Sequence, residues 1–201
     1  MDGRVASLMT HKVDGRRERT KRTHAAIVEA LTALLDEGRI EPTAAEIAAR
    51  AGVATRSVGQ HFASRELLML AVASHHQARF TPSAIDADAP LRTRLASFVR
   101  DRTRILEASR AMRRAAAVVA DRSSAVTNAL ARVARQRRQE SARLFAAEIA
   151  RSDDPVSTER TVALVTSGRA WDALRDDLGL STKVATAQVA RMLEGALRGA
   201  R

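Results

Sequence analysis

Residues 43–62, TAAEIAARAGVATRSVGQHF, decide the fold. Thr43 and Glu46 have the spacing of a capping box, in which the threonine hydroxyl accepts from the N–H three residues on and the glutamate reaches back. That opens a short helix with Ala44, Ile47, Ala48 and Ala51 on its inner face. Gly52 stops it and supplies a residue tolerant of positive φ. In the second short helix Val58 faces back toward the first, with Val53 buried in the turn. A small residue at the crossing (Ala48), a glycine four on and a branched apolar residue six further meet the demands of a helix–turn–helix, whose second helix lies in the major groove of DNA. Gly59, in the middle of that second helix, costs ~1 kcal/mol relative to alanine.

The flanks extend the pattern. Ile27, Val28, Leu31, Leu34 and Leu35 form one face of a preceding helix that Gly38 ends. Ser64 caps a following helix with Leu67, Leu68, Leu70, Ala71 and Val72 as its apolar set. Residues 1–19 have no apolar period and hold Gly3, Gly15 and the run Arg16-Arg17-Glu18-Arg19, which reads as a flexible basic arm. Pro82 and Pro90 bracket TPSAIDADAP, the strongest break in composition, and the boundary is placed there. The expected division is an arm at 1–19, a helix–turn–helix head at 20–80 and a larger helical body at 81–201. Long helices are expected in the body at about 91–108, 111–121, 124–151, 157–177 and 182–198. The predicted fold class is all-α, an N-terminal helix–turn–helix head followed by a larger C-terminal helical domain.

Composition agrees with packed helices. Of 201 residues, 45% are apolar, much of that alanine, and 2% are aromatic. Cysteine is absent, which excludes disulfides and thiolate metal sites. With no apolar run near the ~20 residues of a membrane span, the expectation is a soluble, cytoplasmic protein. The net charge of +11 points to an anionic partner, but its distribution is uneven. Residues 1–80 hold 12 basic against 9 acidic side chains, residues 81–151 hold 15 against 7, and residues 152–201 hold 7 against 7. No enzyme is expected: His11, His24, His61, His75 and His76 form no ligand spacing with carboxylates, and there is no phosphate-cradling glycine loop or nucleophile with a paired base. Neither a metal nor a cofactor is called for.

The chemistry of the second helix assigns roles. Arg56 could bond bidentately to guanine and Gln60 to adenine, each worth ~1–3 kcal/mol of discrimination. Thr55 and Ser57 could touch bases or phosphates, whereas Thr43, His61 and Arg65 would hold phosphates, which position without specifying.

The stretch PTAAEIAARAGVATRSVGQHFASRELLMLAV (residues 42–72), with the preceding RTHAAIVEALTALLDEG (residues 22–38), resembles the DNA-binding head of the TetR family of bacterial transcription regulators. WDALRDDLGLS, Trp171 to Ser181, looks like a segment of many TetR-type ligand and dimerisation domains. The resemblance implies a homodimer on a palindromic operator, most often a repressor released by a small molecule. It also implies an interface built from the last two helices, with Val162, Val165, Ala170, Trp171, Leu174, Val189, Met192, Leu193, Ala196 and Leu197 as candidates for it or for the core of the single chain, and with Gly168 and Ala170 permitting close approach. It implies a body pocket as well, for which Phe98, Arg102 and Trp171 are candidates. The arginine-rich middle (Arg100, Arg102, Arg104, Arg110, Arg113, Arg114) would suit an anionic or acyl effector.

Two residues depart from the family pattern: Ala54 stands where a capping serine is common, leaving Thr55 to cap one residue later, and Gly59 stands where a phosphate-binding tyrosine is common. The competing reading, motivated by the +11 charge, is a non-specific or architectural DNA-binding protein.

Overall fold

A computed structural model of the chain describes the backbone of residues 3–198 and the side-chain surroundings of residues 15–198. Among them the fold is all-α, with no strand. The head holds α1 (Gly3–Asp36), α2 (Ala44–Ala51), α3 (Thr55–His61) and α4 (Arg65–Arg79). The body holds α5 (Leu91–Ala108), α6 (Arg110–Ala120), α7 (Ser124–Leu144), α8 (Ala146–Ala150), α9 (Pro155–Val165), α10 (Gly168–Asp172) and α11 (Thr182–Arg198), with a π-helical turn at Ala173–Asp177.

Helix α1 is longer than its apolar period. It takes in residues 3–19, expected as a flexible arm; residues 1 and 2 lie outside the described part. Arginine, lysine and glutamate are good helix formers, so a polar segment without proline can prolong a helix already nucleated by its packed end. That packed end is Ile27, Val28, Leu31, Leu34 and Leu35, all buried. In α4 the buried set is Leu68, Met69, Val72 and His76. Leu67, expected inside, is 50% exposed, because the ridge that meets α1 runs at i, i+4, i+8 from Leu68.

Two expected body helices are interrupted. The run 124–151 breaks at Phe145, which leaves helical ψ (φ −111°, ψ 21°) to place its ring wholly inside. There the Arg94 guanidinium takes the Leu144 carbonyl at 2.5 Å. The run 157–177 breaks at Thr166 and Ser167. The Thr166 hydroxyl donates back to the Val162 carbonyl at 2.7 Å, and Ser167 caps α10 by accepting from the Ala170 N–H.

Two apolar clusters fill the molecule. One joins α1–α4 to Ala115 and Ala116 of α6 and Val126 of α7. The other lies between α5, α8, α9, α10 and α11 around Phe98, Phe145, Trp171 and Leu193. Helix α4 therefore packs on α6 and α7 as well as on α1. The linker is held too: the Ser83 N–H donates to Asp101 at 2.8 Å and Ile85 packs on the second cluster.

Within the body, Arg94 and Glu148 form a buried ion pair. Nη2 donates to Oε1 at 2.5 Å and Nη1 to Oε2 at 3.2 Å, while Nε donates to the Ala89 carbonyl at 2.9 Å. This pair ties the linker's end and α5 to α7 and α8. Burial alone would raise the Glu148 carboxyl, but the hydrogen bonds and charge of Arg94, with Arg151 beside it, hold it below its ordinary value.

Arg94→Ala leaves the buried Glu148 carboxylate with only the exposed Arg151, at 3.4 Å, as its ionic partner and is expected to lower stability by about 3–5 kcal/mol, measured by chemical denaturation. Because the folded pKa of Glu148 is depressed, its contribution is present above the ordinary value of 4.5 and is lost as pH falls through the folded value. Acid unfolding of Glu148→Gln, followed by circular dichroism, is expected to show a shallower loss of stability than the native chain as pH falls from 4.5 toward the folded value.

Candidate nucleic-acid interface and the body cavity

The turn is built as its sequence demands. Thr43 accepts from the Glu46 N–H at 3.2 Å and Glu46 accepts from the Thr43 N–H at 2.7 Å, closing the capping box. Arg39 pairs with the same carboxylate, and together these interactions depress the Glu46 pKa, the Thr43 N–H most of all. Gly52 is left-handed (φ 66°, ψ 33°), and the Val53 N–H closes on the Ala48 carbonyl at 3.0 Å. Ala48 and Val58 are buried at the crossing of α2 and α3. Phe62, also buried, holds the end of α3 against α1, its ring 4.6 Å from that of His24.

The outer face of α3 is left clear. Thr55, Arg56, Gly59 and Gln60 are exposed, Ser57 and His61 half-buried. The helix begins at Thr55 with Ala54 in the cap position and no side-chain cap, so Thr55 does not take the capping role expected of it. Its hydroxyl is free of that duty on the first turn, where the helix dipole favours an anion. A Cβ on Gly59 would meet nothing within 4 Å.

Two of the expected phosphate-holding residues have internal partners. The Thr43 hydroxyl donates to Glu46 Oε2 at 2.8 Å. Arg65 Nη1 donates to the Pro42 carbonyl at 3.2 Å and Nη2 to that of Ile40 at 3.5 Å, bracing the loop before α2 against the start of α4.

In the body, a cavity of about 870 Å³ lies between α4, α5, α6 and α7 and reaches residues 163–168. Arg102, one of three ligand candidates, lines it; the other two do not. Phe98 stacks edge-on with Phe145 at 5.2 Å and carries the Arg102 guanidinium on its face at 5.0 Å. Trp171 is wholly buried, its indole N–H donating to Glu107 at 2.8 Å. Their aromatic faces are consumed by the core.

The interface candidates lie in the core of the single chain. Val162, Val165, Trp171, Val189, Leu193 and Leu197 are all buried within the single chain, because α9, α10 and α11 form the second apolar cluster with α5. Gly168 serves a contact inside the chain: a Cβ there would come within 2.8 Å of Arg113, whose guanidinium passes over it to reach Asp172 at 2.5 Å. The apolar side chains that these helices leave outside are Val156, Leu164 and Val184.

In the sequence His76 is one of five histidines without ligand spacing to carboxylates. It is buried in α4 at the i+8 position from Leu68, a period that was readable, and its Nε2 has no hydrogen-bond partner. Burial first, then the charges of Arg113 and Arg79, lower its pKa to about 4, so the ring is neutral near pH 7. Among the described residues no cluster of His, Asp and Glu is arranged to hold a metal, and no helix is long and apolar enough to cross a membrane.

These features define a class: an all-α protein with an exposed second helix in a helix–turn–helix head and a cavity in its helical body. A solved structure shares that architecture. It comes from Mesorhizobium loti MAFF303099, was determined at 1.54 Å and is described as a "putative TetR-family transcriptional regulator". The match covers 89% of this chain and 96% of that one, with a TM-score of 0.58 and 18% identity, which establishes a common fold. No protein-family model matches the chain, and no curated protein does.

Gly59→Ala fits the open space on α3 and is expected to stabilise the protein by about 0.5–1 kcal/mol. Gly52→Ala, which forces a side chain into left-handed backbone, is expected to destabilise by about 1–2 kcal/mol. Thermal melts of the two variants check both signs.

Proposed function

We propose that this chain is a sequence-specific DNA-binding transcription regulator, acting in the cytoplasm as a homodimeric repressor that a small molecule releases from a palindromic operator. The observation that carries the reading is the division of α3 into two faces. Val58 and Phe62 are locked into the head while Arg56 and Gln60 stand free on the other side. A helix clamped by its back presents its front in one orientation, which is what reading base edges requires.

In this reading Arg56 and Gln60 read bases, Thr55 and Ser57 contact bases or phosphates near the start of α3, and His61 contributes to backbone contact. Thr43 acts through the helix end that it caps, and Arg65 through the loop that it braces. One short helix reads too few base pairs for useful specificity, and a two-fold axis supplies the second half-site. The second copy is assigned to the outer faces of α9 and α11, where Val156, Leu164 and Val184 are 57%, 65% and 47% exposed. Release follows from α4. That helix lines the cavity through Met69, Leu70 and His76 and is separated from α3 by only three residues, so a ligand that displaces it displaces α3.

Selection of bound sites from random duplex DNA tests the whole reading, and a palindrome preferred by ~10³-fold or more over random sequence is the expected result. Equal affinity for every duplex, with only a steep salt dependence, would support an architectural protein instead. Arg56→Ala is expected to erase preference at one base position, by about 1–3 kcal/mol, whereas His61→Ala weakens all sequences alike, as read by fluorescence anisotropy. Leu164→Glu is expected to convert the dimer to monomer in analytical ultracentrifugation.

A further inference from the structure

The body cavity is charged in one sense. Its ionic lining residues are Arg102, Arg113, Arg132, Arg137 and Arg138, and among the described residues no carboxylate lines it. Two of these arginines have close carboxylate partners behind the wall: Arg113 bonds to Asp172 at 2.5 Å, and Arg137 to Glu140 at 3.2 Å.

Arg102 does not. It is 5% exposed, yet only one of its five N–H donors is used, by the Arg137 carbonyl at 3.3 Å. The nearest carboxylate, that of Glu140, lies 3.8 Å away, beyond hydrogen-bond reach and already engaged by Arg137. Burial and the neighbouring charge of Arg137 push its pKa down to about 10, against the pull of Glu140. A buried guanidinium with spare donors facing an open space is a costly arrangement unless an anion completes it. His76, also at the wall and more than nine-tenths buried, adds an unpartnered Nε2.

The apolar part of the wall is mostly aliphatic, with Met69, Leu106, Met112, Val126, Leu130 and Val133, and polar Gln77, Asn128 and Gln136 are set among them. Phe80 is the one benzenoid ring among the lining residues, which gives a flat aromatic guest little to stack on. Methionines at two positions suit a flexible chain.

We propose that the cavity takes one aliphatic monocarboxylate per chain, its carboxylate held by Arg102 and its hydrocarbon lying along the methionine- and leucine-lined wall. The proposal rests on the effector reading only for its regulatory consequence; the binding itself is a property of the chain without DNA. The volume lies within the range of sites that enclose small organic ligands.

Calorimetric titration with sodium dodecanoate, dodecan-1-ol and dodecylamine, each below its aggregation limit, tests it on the full chain. The expected result is saturable binding of one dodecanoate per chain, at least tenfold tighter than the alcohol, with no binding of the amine. Arg102→Met should erase the difference between acid and alcohol, and Arg102→Lys should retain part of it. Arg102→Met is also expected to melt at or above the native temperature without ligand, since it removes an incompletely paired buried charge; a merely structural arginine would leave a variant that melts lower. Equal binding of acid and alcohol by the native chain, unchanged acid binding by Arg102→Met, or no saturable dodecanoate binding each overturns the proposal. The native acid–alcohol comparison decides even if a variant fails to fold. Site selection without fatty acid, run alongside, shows separately whether the regulator reading stands.

Discussion

The left-handed backbone at Gly52 is the constraint on which the head depends. It turns the chain sharply enough for the Val53 N–H to reach the Ala48 carbonyl, and that closure sets the angle at which α3 crosses α2. The crossing seats Val58 on Ala48, and with α3 so placed Phe62 reaches His24 on α1. Helix α4, capped by Ser64, is separated from α3 by only three residues, so its direction is inherited from the same turn. A side chain with a Cβ at position 52 strains the first of these steps, and every later one is geometrically downstream of it.

The body is organised by how its arginines find partners. Arg94 is neutralised by Glu148, Arg113 by Asp172, and Arg110 and Arg175 by Glu107 with Asp176. Glu107 also accepts from Trp171. Burial alone would raise its pKa, but the hydrogen bonds from Arg175 and Trp171 hold it below the ordinary value. These pairs bridge α5, α6, α10 and the π turn, and so fix one wall of the cavity. The acids are spent in doing this, which leaves Arg102 without a close partner of its own.

The head was legible because its requirements are local. A capping box, a glycine at a left-handed position and a small residue at a crossing each depend on a few neighbouring residues, and Thr43, Glu46, Gly52, Ala48 and Val58 stand where the spacing put them. The body was less so, because helical periodicity shows that a face is apolar but not what it meets. Val162, Val189 and Leu193 read equally well as core or as interface, and three-dimensional packing alone assigns them to the core. The same ambiguity hid Phe98 and Trp171, since an aromatic residue on an inner face can line a cavity or fill one. The breaks at Phe145 and Thr166 escaped the sequence because each depends on its own context: Arg94, fifty residues away, takes the Leu144 carbonyl, and the Thr166 hydroxyl donates back to Val162. Arg102 was visible as one arginine among many. Its distinction lies in the partners it lacks, and a sequence does not display an absence of partners.

The apolar cluster of the head does not stop at the linker. Ala115, Ala116 and Val126 contribute to it from beyond residue 90, while Met69 and Val72 contribute from before residue 80. A fragment ending in the linker would therefore bare part of its own interior to water, at roughly 25 cal/mol per Å² of apolar surface. Cleavage of the exposed TPSAIDADAP segment would sever the covalent path between head and body and leave this shared interior intact. The two pieces would remain together as a noncovalent complex, and the head and the α6–α7 pair would melt in one transition.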